Sequence, residues 1–356
     1  MATSKVTIKD VAEAAGVSIA TVSFVLNKTA KVTIPLSTKE RVLEAVKKLG
    51  YTPNAAGRHL ASGKSHTLAF VLPSAEHLRI DAFIPLILSS LNEVCHQNGF
   101  NLLIHAIEDP SRPDAYMDMV RANSIDGLFI LNPRADEPQI NALLDAGFPL
   151  IVGPGWPHEK ACGIGFSNRT AALTATNYLI SLGHRRIACI NYGPQNFLTA
   201  DSRYRGYCIA LENAGIGIDE KLVLWANFSH ESGYRAAAEL LDRGEVPTAI
   251  FAGNDTVAIG VLAALRERGL AVPGDVSVIG IDDIPASRYL APPLTTVCVD
   301  ANEYGRRAGQ MLISLVRGQR PQPDRVYLST TLVVRASCAP PRETPSSRKE
   351  AISPAR

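Results

Sequence analysis

The chain has 356 residues, 46% of them hydrophobic, and a formal net charge of only +2. That length allows two or three domains, each with its own core. No apolar run approaches the ~20 residues of a membrane span, which excludes an integral membrane protein of the helical kind.

Divided along the chain, the charge is uneven. Residues 1–64 hold ten Lys and Arg against four acids, a surplus of +6, so the remaining 292 residues carry −4. A small basic head on a mildly acidic body is expected of a polyanion-binding module joined to something else. A solvated basic surface without a partner is the plainer alternative. The segment MATSKVTIKDV has no apolar core of signal-peptide length. The six cysteines (Cys95, Cys162, Cys189, Cys208, Cys298 and Cys338) are scattered without metal-type pairing. A reduced, cytoplasmic protein without a cofactor or metal is expected.

In chain order, Thr7 and Asp10 have the spacing of a capping box for a first helix, with Val11, Ala12, Ala14 and Ala15 as its small apolar face. Gly16 permits the sharp turn that follows. Ser18 is placed to cap a second helix whose Val22, Val25 and Leu26 recur at i, i+3 and i+4. Ser37 and Glu40 suggest another capping box, for a third helix with Val42, Leu43, Val46 and Leu49 inward and Gly50 at its end. Three helices with a glycine turn between the first two describe a helix-turn-helix unit, or a purely structural three-helix bundle. The head's charge favours DNA, with the second helix in the major groove. After Pro53, the stretch YTPNAAGRHLASGKS could form a short helix to about Leu60. It is too short and too polar to stand alone, and Gly57 costs it about 1 kcal/mol relative to alanine.

From residue 65 the pattern becomes short apolar runs alternating with helix-like stretches. HTLAFVLP, NLLIHAI, DGLFIL, PLIVG, RIACINY, LVLWANF, AIFAGN and VSVIGID read as buried parallel strands. Residues 65–338 exceed one ordinary core, so two doubly wound α/β lobes are expected, with a ligand between them at the carboxyl ends of strands. Phe228, Asn254, Asp255, Asp282 and Asp283 stand at strand ends, and Arg203 opens the helix DSRYRGYCIALENAGI. An aromatic face, a cation and a carboxylate together can grip a small polar ring. Taken singly, each could equally be a helix cap or half of a surface ion pair. No G-x-S-x-G elbow, H-E-x-x-H, P-loop or G-x-G-x-x-G after a strand occurs, so an enzyme is not expected.

The head segments TIKDVAEAAGVSIATVSFVLN and TKERVLEAVKKLGYTPNAAGRHL closely resemble the DNA-binding head of the LacI/GalR family of bacterial transcription regulators. A weaker likeness continues to about residue 337. The resemblance implies a homodimer on double-stranded palindromic operator DNA, with paired hinge helices in the minor groove and Leu60 wedged between base pairs. It assigns DNA contacts to Thr7, Ser18, Ile19, Ala20, Thr21, Ser23, Phe24, Asn27, Lys28 and Tyr51 in the head. In the hinge it assigns them to Asn54, Gly57, Arg58, Leu60 and Ala61. It also implies a periplasmic-binding-protein type I body that holds a small effector, a sugar or related metabolite. DSRYRGY, NFSHESGY, GNDTVAIG and VSVIGIDD match the family's segments at Arg203, Phe228, Asn254 and Asp282, and DAFIPLILSSL puts Phe83 and Ile84 at the cleft.

The expected organisation is a head at 1–52, a hinge at 53–64, a body at 65–338 and a disordered tail at 339–356. Within the body, lobe 1 spans about 65–165 and 297–320, and lobe 2 about 166–296 and 321–338. The expected function is a regulator, a repressor, whose operator affinity an effector controls. The alternative is a solute-binding protein with no DNA role, against which the basic head speaks.

Five features depart from the family's commoner pattern. KTAKVTIPLS looks two residues longer than usual, and Gly57 replaces the usual alanine. Pro154 and Ser167-Asn168 stand where many members have polar ligand contacts. Phe24 stands where an arginine often pairs with guanine. A phenylalanine offers only apolar contact to a thymine methyl, and Ile19 and Ala20 are apolar too. Base reading should therefore lean on methyl groups and on the deformability of a kinked central step, with Thr21 and Ser23 serving phosphates.

Overall fold

The computed structural model describes residues 6–26, 33–51, 63–107, 116–135, 137–153 and 155–342. The chain divides into two compact units, Met1–Ser65 and His66–Arg356.

The first unit contains helices α1 (Ile8–Ala15), α2 (Ile19–Leu26) and α3 (Leu36–Leu49). Thr7 and Asp10 form the expected capping box of α1. Gly16 then takes a left-handed conformation with φ of 61°. The core is small: Val11, Ala12, Ala15, Val22, Val42 and Ala45 are its buried members. Val22 is the one fully buried side chain of α2, so that helix is anchored by a burial worth about 1.5–3 kcal/mol.

Two expectations fail at α3. Its cap is Pro35, extended at φ −54° and ψ 144°, and the Thr38 and Lys39 amides both donate to the Pro35 carbonyl. The helix therefore begins before Ser37, which leaves Ser37 and Glu40 inside it rather than as a capping box. Leu43 is 54% exposed, because Val42, Ala45, Val46 and Leu49 define the inward face and Leu43 lies a further 100° round.

The second unit holds two six-stranded sheets. It starts with β1 (Thr67–Leu72), α4 (His77–Ile80), α5 (Ile84–Gln97), β2 (Asn101–Ala106), α6 (Met117–Arg121), β3 (Gly127–Ile130), α7 (Pro138–Asp145), β4 (Leu150–Val152) and β5 (Cys162–Phe166). Next come α8 (Asn168–Ser181), β6 (Ile187–Asn191), α9 (Leu198–Asn213), β7 (Val223–Trp225), α10 (His230–Asp242), β8 (Ala249–Ala252), α11 (Asp255–Glu267) and β9 (Ser277–Asp282). The last elements are β10 (Thr295–Val299), α12 (Ala301–Val316), β11 (Arg325–Leu328) and β12 (Thr330–Val333).

The first sheet has the order β11-β5-β4-β3-β1-β2 and is parallel throughout. The second has the order β12-β10-β9-β8-β6-β7, with only β12 antiparallel. Central strands are buried along their length, as in Ser277–Asp282, because helices cover both faces of such sheets. On α12 the buried residues Ala301, Tyr304, Gly305, Ala308, Met311 and Leu312 recur at helical spacing, and that stripe packs α12 on α5 and the first sheet.

The chain passes between lobes at Ser167, Asp300 and Ser329. This corrects the expected breaks at 297 and 321. Residues 297–299 complete β10 in the second sheet, and β11 pairs with β5 in the first. The half-exposed sequence RVYL of β11 carries no apolar run to reveal it.

The expected disorder from residue 339 is also corrected. The Ala339 carbonyl accepts from His184 Nε2 at 2.9 Å and from Ser277 Oγ at 3.0 Å. Arg342 Nη1 donates to Asp275 Oδ1 at 2.6 Å. Residues 343–356 lie outside the described residues.

Candidate functional site

In the head, Ser18 Oγ accepts from the Thr21 amide at 3.1 Å and lies 2.9 Å from the Thr21 hydroxyl. This caps α2 and holds its first turn. Ile19, Ala20 and Phe24 are exposed, Phe24 by 37%. Phe24 takes no part in the head's core, whereas Tyr51 packs against it. Helix α2 thus presents an apolar surface flanked by small hydroxyl residues. Asn27, Lys28, Asn54, Gly57, Arg58, Leu60 and Ala61 lie outside the described residues.

In the second unit, a small cavity of about 50 Å³ lies between the lobes, lined among others by Asp81, Phe83, Tyr192, Arg203 and Asp282. Arg203, on α9, is only 4% exposed. Its Nε donates to Asn168 Oδ1 at 2.8 Å, and its Nη1 donates to the Gly253 carbonyl. Its Nη2 lies 3.6 Å from Asp282 Oδ1, an ion pair too long for a hydrogen bond. The guanidinium also sits 4.1 Å from the centre of the Tyr192 ring and 5.6 Å from that of Phe166. Asp282 ends β9 with φ of 119°, a conformation that costs energy and is common at functional sites. Its Oδ1 has no hydrogen-bond partner among the described residues.

Burial sets the protonation of this cluster. It pushes Asp282 well above the usual carboxylate range despite the opposing pull of Arg203. It raises Asp81 to about 6, against the Phe83 amide and Arg203, which act to lower it. Asp255, at the start of α11, is raised to about 7 by the same desolvation. Its oxygens, however, are satisfied by the Ser287 and Thr296 hydroxyls and the Ile284 amide. Asp255 is therefore a structural anchor, whereas Asp81 and Asp282 face the cavity.

The sequence-derived residues divide. Phe83, Arg203 and Asp282 meet at the cavity. Asn254 caps α11 through its Oδ1, which accepts from the Val257 amide at 2.8 Å, and its Nδ2 has no partner among the described residues. Phe228, in a left-handed conformation at φ 72°, is wrapped by the rings of His77, Tyr192 and Phe197 and does not line the small cavity. Ile84 is a core residue of the first lobe, 1% exposed, because it starts the inward stripe of α5. Sequence reasoning missed Asp81, Tyr192 and Thr199. Tyr192 directly follows β6, so the strand-end rule that found Asp282 would have found it as well. Asn168, set aside as a departure, is the residue that orients Arg203.

Comparison with known proteins settles the family. Residues 7–54 match the family described as bacterial regulatory proteins, lacI family, and residues 176–338 match a periplasmic binding protein-like domain. The HTH-type transcriptional repressor PurR of Haemophilus influenzae is 35% identical over 336 residues, covering 93% of this chain and 98% of that protein. The chain belongs to the LacI family. The regulator CelR of Thermobifida fusca is 34% identical over 335 residues, covering 93% of this chain and 98% of that one. Among solved structures, the lac repressor dimer bound to operator and the anti-inducer ONPF is similar with a TM-score of 0.81 and 28% identity, over 94% of this chain and 99% of that one. A CelR–cellobiose complex is similar with a TM-score of 0.71 and 33% identity, over 94% and 100%. As a LacI-family member, the protein is a DNA-binding transcriptional regulator whose DNA affinity is controlled by a small effector. No described helix is long and apolar enough to cross a membrane.

Proposed function

We propose that the protein is a cytoplasmic repressor that binds a palindromic operator as a homodimer and holds a sugar-type effector between its lobes. The observation that carries the effector site is the buried pair Arg203–Asp282 lining an interlobe cavity, with one Asp282 oxygen lacking a donor. A buried carboxylate oxygen without a partner is costly, and a ligand hydroxyl would satisfy it. CelR, solved with cellobiose, supports a sugar as the class.

In this reading Ile19, Ala20 and Phe24 touch thymine methyls, while Thr7, Ser18, Thr21, Ser23, Asn27, Lys28 and Tyr51 serve the backbone. Asn54, Gly57, Arg58, Leu60 and Ala61 form the hinge, with Leu60 as a wedge that must offset unstacking of a few kcal/mol. The effector favours one arrangement of the lobes, which turn about Ser167, Asp300 and Ser329. Equal affinity for both arrangements would shift nothing.

The test is a gel shift on palindromic DNA from the neighbourhood of the protein's own gene, with and without an effector found by screening sugars. Asp282→Ala should abolish the effector's influence and leave effector-free DNA affinity within about twofold. An undiminished response in that variant would remove the cleft from effector binding.

A further inference from the structure

A second cavity, of about 550 Å³, adjoins the small one and shares Pro133, Gly153, Phe166, Asn168 and Thr199 with it. The inner volume falls far below the ~300–1,000 Å³ of ordinary ligand pockets, and the outer one lies within that range. Building on the reading that this cleft holds the effector, we propose that the effector is an anionic sugar, a sugar acid or a sugar phosphate. Hydroxyls on one edge of its ring reach into the inner cavity, and its charged group lies in the outer one.

The two cavities differ in polarity. The inner one offers acceptors: Asp81 and Asp282 are buried there, and Asp282 Oδ1 lacks a donor. Arg203 donates from two of its three nitrogens, to Asn168 and Gly253, while its third lies 3.6 Å from Asp282. Ligand hydroxyls can hydrogen-bond to these carboxyl groups.

The outer cavity offers donors. Arg169 is exposed and forms no ion pair among the described residues, while Arg205 is offset by Asp201 at 2.8 Å. That leaves a surplus of one positive charge. Helix α9 starts on the same wall with Leu198 and Thr199. Its cap residue, Phe197, supplies no side-chain acceptor, so the free amides of its first turn add to the positive potential. Gly206 fixes the arrangement: a Cβ there would lie 2.3 Å from the Arg169 carbonyl oxygen. Helices α8 and α9 therefore approach closely and bring Arg169 and the start of α9 to one cavity.

The experiment titrates the full chain at constant ionic strength and follows the fluorescence of Trp156, which lines the outer cavity. The probes are uncharged hexoses and cellobiose, the matching aldonic and uronic acids, and the matching sugar phosphates. The tightest binder should be an acid or a phosphate, and whichever it is identifies the source of the charge. Arg169→Gln should weaken that ligand at least tenfold and its uncharged parent less than twofold. An uncharged sugar as the tightest binder, no binding by any acid or phosphate, or equal weakening of charged and uncharged ligands overturns the proposal. Asp282→Asn, run in parallel, separates this failure from the broader one. If Asp282→Asn abolishes sugar binding while Arg169→Gln spares it, the cleft stands and the anionic group falls. If both variants bind as the parent does, the cleft itself is not the site.

Discussion

Helix α2 of the head leaves Ile19 and Phe24 in solvent, whereas the cleft of the body puts Asp81, Arg203 and Asp282 out of it. Both regions invert the usual placing of side chains, and each inversion suits the ligand proposed for it. DNA brings its own charge on the backbone, so basic residues spread over a head can supply affinity while apolar groups read methyls. A small effector must be recognised where water is excluded, so its polar partners have to be buried, paired and strained. The head can therefore rest on a small core, with six buried members among the described residues. In the cleft the guanidinium is held by Asn168, Gly253 and Asp282 of the second lobe, and the first lobe adds Asp81 and Phe83 across the cavity.

Salt should separate the two regions most strongly. Log affinity for operator DNA should fall linearly with log salt, by about 0.9 for each phosphate neutralised, and so by orders of magnitude between low and physiological salt. Affinity for the proposed effector, which meets buried groups and one exposed arginine, should change less than about tenfold over the same range. Fluorescence anisotropy for DNA and ligand titration for the effector measure the two slopes. Equal slopes would erase the contrast.

Next in size is Phe24→Arg. It should introduce a guanine reader and change base preference at one position per half-site by about 1–3 kcal/mol. Because Phe24 lies outside the head's core, the melting temperature should hardly move. Site selection with both proteins, together with a thermal melt, checks this. A lower melting temperature with unchanged preference would make Phe24 a packing residue.

The smallest effect concerns Asp81. Its carboxyl is raised by burial to about 6 in the folded chain, above its ordinary 3.8. The folded state therefore holds this proton more tightly, and stability is lost as pH rises from about 4 through 6. Asp81→Asn can still accept from the Phe83 amide and avoids the buried charge. It should stabilise the protein by on the order of 1–2 kcal/mol at pH 7.5, with the gain vanishing towards pH 4. Thermal melts across that range measure it, and a gain independent of pH would rule out the carboxyl as its source.

What the sequence determined by itself was local or periodic. The Thr7–Asp10 box, the Gly16 turn and the Ser18 cap depend on neighbours a few residues apart. The eight apolar runs became strands β1–β4 and β6–β9, because a buried parallel strand needs an unbroken apolar stretch, but β2 lies at the sheet edge and is largely exposed rather than buried. Elements lacking that signal stayed hidden. β5 is glycine-rich, CGIGF, and β10 to β12 mix Thr, Arg and Tyr with aliphatics.

Tertiary structure alone decided which charges meet. Asp81, Arg203 and Asp282 come from segments more than 70 residues apart and converge because three crossovers bring two sheets together. It also decided that Leu43 faces solvent while Ile84 is core, since a helix's inward face depends on the neighbour it packs against. Likewise residues 339–342, read as tail by composition, are held by His184, Ser277 and Asp275. A hydrogen bond between residues 155 positions apart leaves no trace in local pattern, and only the folded chain brings its two ends together.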